Sequence, residues 1–369
     1  MQLFSLRKYS AFLLIILLAA CAGQEKPVTK EEAIKMAQSL EGSMKRRNAA
    51  KFNEALDAES LAARIQKEAK FKINVFTLKG VAQGVKAGKL GNELISSMGK
   101  GGSYELVKQY EKDEKQHLIF RLYGEDGKLN YHDLELVKKK DQVKVADMFN
   151  YISGENLSTT LAQTMAMAEE NFDAKDKAFK EQMANIKRIR RLVNEGKNEE
   201  ADKIYQSFPE SLKQQRMVSI LYIEVASGLG EESYMKAMDD FERAFPNAPN
   251  MFLMKIDACL LRKDLAGALK SVDQLDALIN KDVLLDYYRG LIHKLKQDKE
   301  GQRLCFERLA KNKPDFSPGL LELIVFYMDN KEADKAAEIT RQYKLNSNAN
   351  QSQLEGLYLM YPELQKKVG

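Results

Sequence analysis

Cysteine and histidine are scarce in this chain, three of each among 369 residues, and tryptophan is absent. Cys21, Cys259 and Cys305 stand far apart, which excludes the even, closely spaced set that staples a small secreted domain. None of His117, His132 and His293 neighbours a cysteine pair, so no metal-ligand spacing is present and no cofactor is expected. Cys259 in "IDACLL" and Cys305 in "RLCFERL" sit among apolar residues of helical pattern and read as small buried hydrophobes. An excess of one charge is lacking too. Fifty-eight Lys and Arg face 53 Asp and Glu, a net +5, whereas nucleic-acid binding needs a concentrated basic face. The runs "KKKD" (138–141) and "KRIRR" (187–191) therefore read as solvated turns and helix faces. With 44% hydrophobic and 30% charged residues the chain is globular, and long enough for two domains.

A membrane-spanning run is missing as well. Ala11–Ala20 is continuously apolar but only ten residues long, where a bilayer takes about 20. Arg7 and Lys8 precede it, and small residues follow: the layout of a signal peptide. The run ends Leu18-Ala19-Ala20-Cys21. This tetrad resembles the lipobox of bacterial lipoproteins, which implies cleavage before Cys21 and acylation of its thiol. Removing residues 1–20 takes away Arg7 and Lys8 and no acid, so 56 − 53 leaves +3. The following "AGQEKP" is a polar tether, with Ala22 rather than Asp after the cysteine; by the same resemblance this favours the outer membrane.

From residue 28 the pattern is helical. Thr29 with Glu32 forms a capping-box signature. Ile34, Ala37, Leu40 and Met44 mark one helix, and Phe52, Leu56, Leu61 and Ile65 a second. Residues 80–102 carry many glycines, but Gly99-Lys100-Gly101 lacks the Ser or Thr of a phosphate loop, so a connection is expected there. Over 103–152 the period drops towards two. Four strand-like runs are joined by "KDEK", "GEDGK" and "KKKD", which predicts a four-stranded antiparallel meander. Helices followed by such a sheet resemble the nuclear transport factor 2-like (ketosteroid-isomerase-like) cone, on element order alone.

Beyond residue 158 the strand signals fade and helical runs alternate with breaks. Lys197, Glu231, Lys263, Lys299 and Lys331 mark the breaks, at intervals of 34, 32, 36 and 32. Ala237, Phe241, Ala244 and Pro249 follow a small–aromatic–small–proline order, as do Gly290, Phe306 and Pro314, and Gly196, Ala201 and Tyr205 in part. Period and residue types resemble tetratricopeptide repeats, each a helix–turn–helix. The full expectation is an α+β domain followed by an all-α tetratricopeptide-like solenoid: signal peptide 1–20, lipidated tether 21–27, α+β domain 28–155 and helical repeats 156–369. The repeat resemblance implies a concave partner-binding surface, which by register from Gly290 holds Leu284, Tyr287, Leu291 and Lys294.

Catalytic chemistry is not evident. His132-Asp133, near Asp147, is the best acid–base candidate, but alternation puts the two on opposite sheet faces and a surface position is expected for them. The pairs Glu31-Glu32 and Asp239-Asp240 lie beside basic residues and read as solvated helix faces. The chain thus reads as a lipid-anchored envelope protein, not an enzyme, that scaffolds an envelope protein or peptide partner and binds the membrane through Cys21. The alternative is a small-ligand or enzymatic site in the cone-like domain.

Overall fold

The computed structural model describes residues 27–69, 72–169, 176–245, 252–346 and 348–369. The expected signal peptide, Cys21, all of the expected tether but Pro27, and Pro249 lie outside these. Among the described residues five helices come first: α1 (Lys30–Lys45), α2 (Ala50–Ala55), α3 (Ala58–Glu68), α4 (Val75–Lys86) and α5 (Lys89–Met98). The capping box at α1 forms as expected, with Thr29 and Glu32 exchanging side-chain and backbone hydrogen bonds. The second expected helix is broken in two. Leu56 is extended and bridges to Val145, and the Asp57 side chain then caps α3 by accepting from Glu59 N. The glycine-bearing segment is not a loop but α4 and α5, joined at Gly88 in the left-handed region (φ 74°).

Five strands follow in the order β1-β2-β3-β4-β5, all antiparallel: β1 (Ser103–Lys112), β2 (Lys115–Tyr123), β3 (Leu129–Lys139), β4 (Gln142–Asn150) and β5 (Glu155–Asn156). The sequence reading missed β5. The Asn150 side chain accepts from the amides of Ile152 and Ser153, and Gly154 (φ 67°) completes a reversal that lays two residues against β4. Two of the expected hairpin turns close with both central residues left-handed: Asp113 and Glu114 (φ 49° and 60°), Lys140 and Asp141 (48° and 63°). These are the φ signs that match strand twist in two-residue hairpins.

Both faces of the sheet are covered. On one, Ala37, Leu40 and Met44 of α1 pack on Leu118, Phe120 and Leu134. On the other, Ile119, Leu129 and Tyr131 enter a core built mainly by the carboxy-terminal helices. Helix α6 (Leu157–Glu169) packs beside α3 and β4.

The rest is a long array of paired helices. The pairs are α7 (Asp176–Asn194) with α8 (Asn198–Gln206), then, after the single turn α9 (Glu210–Lys213), α10 (Arg216–Leu229) with α11 (Glu231–Ala244). They continue as α12 (Phe252–Leu261) with α13 (Leu265–Ile279), α14 (Leu285–Leu295) with α15 (Lys299–Asn312), and α16 (Ser317–Asp329) with α17 (Ala333–Lys344). Helices α18 (Gln351–Met360) and α19 (Pro362–Val368) end the chain. The second helices begin at 198, 231, 265, 299 and 333, intervals of 33, 34, 34 and 34. The turn inside four of the pairs repeats in atomic detail. Gly196, Lys263, Gln297 and Lys331 are left-handed, and the next residue's N–H reaches the carbonyl five residues back, as in Lys197 to Leu192 and Asp298 to His293. This is a Schellman termination. At Gly290 of α14, an added Cβ would lie 2.5 Å from Phe306 of α15, so the small residue and the aromatic are direct partners across the pair.

Candidate functional site

Two regions bear on function: the face of the array that meets the sheet, and a pocket on the part of the sheet that the array leaves open. At the junction, Arg121 of β2 is 4% exposed and forms ion pairs with Asp282, in the turn before α14, and with Glu105 of β1. Asp282 is equally buried. Its Oδ2 accepts from Tyr131 Oη at 2.8 Å and its Oδ1 from the Leu284 amide at 3.0 Å. Burial works against the Arg121 charge, but Asp282 and Glu105 outweigh it and the guanidinium is held more firmly protonated than usual. Lys313 adds a 2.9 Å contact to Glu105, and Tyr288 Oη donates to the Gly127 carbonyl in the β2–β3 turn.

The residues expected on a partner-binding surface cluster at this junction. Leu284 is 1% exposed and shares a core with Ile119 and Tyr131. The Tyr287 ring meets Phe316 edge-on at 5.2 Å, and Tyr123 of β2 meets Phe316 in the same way. Leu291 is partly buried against that core, and Lys294 is half-exposed, paired with Glu322 at 2.7 Å. The structure thus brings Leu284 and Tyr287 to the chain's own sheet. Lys294 is instead engaged with Glu322 of α16, within the array.

His132 is not at the surface. It is 2% exposed, with Nδ1 3.3 Å from Tyr104 Oη and Nε2 3.1 Å from the Asn130 amide nitrogen. Alternation separates His132 from Asp133 as expected, but it cannot show that helices cover both faces. Burial depresses the imidazole to about 4, so it is neutral at ordinary pH. Asp147 is buried apart from it. Ser158 Oγ and the Met148 amide donate to its carboxylate, but burial outweighs those bonds and raises its pKa, making it a weaker acid than usual.

The pocket lies on the face that bears Asp133, at the hairpin end, beyond the docked helices. It is half-open, encloses about 340 Å³ and is lined by residues that include Tyr110, Lys115, His117, Asp133, Glu135 and Phe149. Tyr110 and His117 face each other across the tight β1–β2 turn and stack at 4.9 Å. Both reach Asp133: Tyr110 Oη donates to Oδ2, and His117 Nδ1 stands 3.0 Å from Oδ1. An ionised carboxylate only accepts, so in the neutral form of the imidazole the ring proton sits on Nδ1 and Nε2 is an acceptor. Glu135 takes hydrogen bonds from Arg64 of α3 (2.9 Å) and Lys115 (2.6 Å). Burial raises its carboxyl, but these two cations outweigh it and hold it at about 2. The hairpin register implied by "KDEK" places Tyr110 opposite His117; that signal was in the sequence and was not followed.

Among the described residues no group of His, Cys, Asp and Glu is arranged to hold a metal ion, and no helix is long and apolar enough to cross a membrane. Cys305 is buried, Cys259 is partly so, and burial pushes both thiols up. Compared with protein-family models, curated proteins and solved structures, the chain matches none.

Proposed function

We propose that this is a lipid-anchored envelope protein, held at Cys21 on the outer membrane, that acts as a non-catalytic scaffold for another envelope protein. Residues 22–27 form the tether, and Val28 is already buried. At about 3.5 Å per residue the body then stands within about 25 Å of the bilayer. The sheet with its amino-terminal helices is read as a nuclear transport factor 2-like cone, and the array as a tetratricopeptide-like solenoid. One observation carries the scaffold reading: the helical pairs recur every 33 or 34 residues and end in helices that expose apolar side chains. Leu345, which follows α17, and Leu359 and Met360 of α18 are 89%, 84% and 65% exposed, apolar surface of the kind a partner protein covers. In-cell crosslinking of the lipidated chain tests this. A stable protein adduct, lost in a Leu345→Lys/Leu359→Lys/Met360→Lys variant that still folds, is expected. Absence of any adduct, or one indifferent to the triple change, would refute the reading.

A second reading is favoured by the pocket itself: Asp133 orients a histidine whose second nitrogen makes no hydrogen bond to the described residues. In this reading the sheet binds a small ligand, and the array sets where that happens.

A further inference from the structure

We propose that the pocket beside β1–β4 takes a neutral, hydroxyl-rich ligand of saccharide type, with His117 Nε2 as hydrogen-bond acceptor and Phe149 as apolar wall. This rests on the second reading above, in which the pocket is a binding site.

The partly buried carboxylates lining the pocket already hold hydrogen-bond donors from within. Glu135 is held by Arg64 and Lys115, Asp133 by Tyr110 and His117, and Asp147 by Ser158 and the Met148 amide, with Arg64 at 3.8 Å. At the rim, Lys112 and Asp113 are adjacent and of opposite sign. An ionic ligand that engaged Glu135, Asp133 or Asp147 would displace those donors and leave a partly buried charge without its partner, which is costly. A neutral ligand displaces none of them.

The remaining groups inside the pocket suit a neutral ligand. His117 Nε2 makes no hydrogen bond to the described residues, while the Asp133 contact and the Tyr110 stack fix the ring. Asn156 lines the pocket opposite the β1–β2 hairpin and brings an amide, donor and acceptor at once. Phe149 supplies the apolar surface; Tyr151 meets it edge-on at 5.4 Å and holds its plane. A pyranose offers the matching set: hydroxyls that donate to an imidazole and bridge to an amide, and a C–H face that lies on an aromatic ring. The volume is at the small end of ligand pockets (~300–1,000 Å³) and suits a monosaccharide. Because the pocket is half-open, a dissociation constant on the order of millimolar is expected.

The three histidines provide the test. In full-length protein in a non-glycosidic detergent, the ring C–H resonances of His117, His132 and His293 are followed by NMR, with His117→Phe assigning the first. The probes are N-acetylglucosamine and glucose as neutral sugars, and inorganic phosphate and putrescine as ions. A saturable sugar-induced shift of the His117 signal is expected, with His132, buried against Tyr104, and His293, paired with Asp298 at 2.8 Å, unmoved. Phe149→Leu should weaken the sugar about tenfold, and unchanged His132 and His293 signals in that variant show that it folds. If phosphate or putrescine shifts His117 and sugars do not, the ligand class is wrong while the pocket reading survives. If no probe shifts it, both fail. Equal sugar affinity in Phe149→Leu also overturns the proposal.

Discussion

Asp282 is the residue on which the union of sheet and array depends most. Replacing it with Ala removes the ion pair to Arg121, the acceptor of Tyr131 Oη and the acceptor of the Leu284 amide in one step. Arg121 keeps Glu105, but that partner is itself shared with Lys313. Breaking a buried pair by deleting one member costs about 3–5 kcal/mol, because the remaining charge stays buried. The loss should fall on the junction rather than on either part. Tyrosine fluorescence and far-UV circular dichroism in urea should follow one coincident transition in the wild type and two separated ones in Asp282→Ala. An Arg121→Met/Asp282→Leu double variant removes both charges at similar bulk and should recover most of the loss. A cost below about 1 kcal/mol with transitions still coincident would refute the reasoning.

Three further expectations follow from single residues. Burial holds His132 at about 4 in the folded protein, against about 6.5 for an imidazole in water; the unfolded chain therefore binds the proton first. The stability this group allows is full above pH 6.5 and falls as pH drops towards 4, by about 3 kcal/mol; His132→Phe should flatten that limb of the stability–pH curve. Gly290→Ala drives a methyl against Phe306, which is fully buried, so denaturant titration should show a loss of about 1–3 kcal/mol. Gln297 sits in the left-handed region at φ 57°, so Gln297→Gly should raise thermal stability by about 1 kcal/mol, net of the entropy glycine loses.

Local rules carried the sequence reading where a structure is set by its own neighbours. The capping box at Thr29, the two tight hairpin turns and the helix pairs with Gly290 against Phe306 were all legible. The repeat period was blurred because charged residues near each break served as markers. The periodic feature is the backbone turn, whose left-handed residue is Gly once and Lys or Gln three times, and composition does not display that. His132 was misplaced because period-two alternation divides a strand into two faces without saying what covers each. Arg121 and Asp282, 161 residues apart, give no local signal at all. The Tyr110–His117–Asp133 cluster falls between: hairpin register gives the first pair, and only the β2–β3 alignment, with Ile119 opposite Asp133, brings in the third.

In the proposed function, Cys21 holds this body on a membrane. Fractionation of cells carrying wild-type or Cys21→Ala protein, with the mass of each form, tests it most directly. The account predicts a wild-type chain that begins at an acylated Cys21 and sediments with membranes, and a Cys21→Ala chain that carries no acyl groups. A wild-type chain without acyl mass at Cys21, or a Cys21→Ala chain with the processing and membrane attachment of wild type, would contradict it.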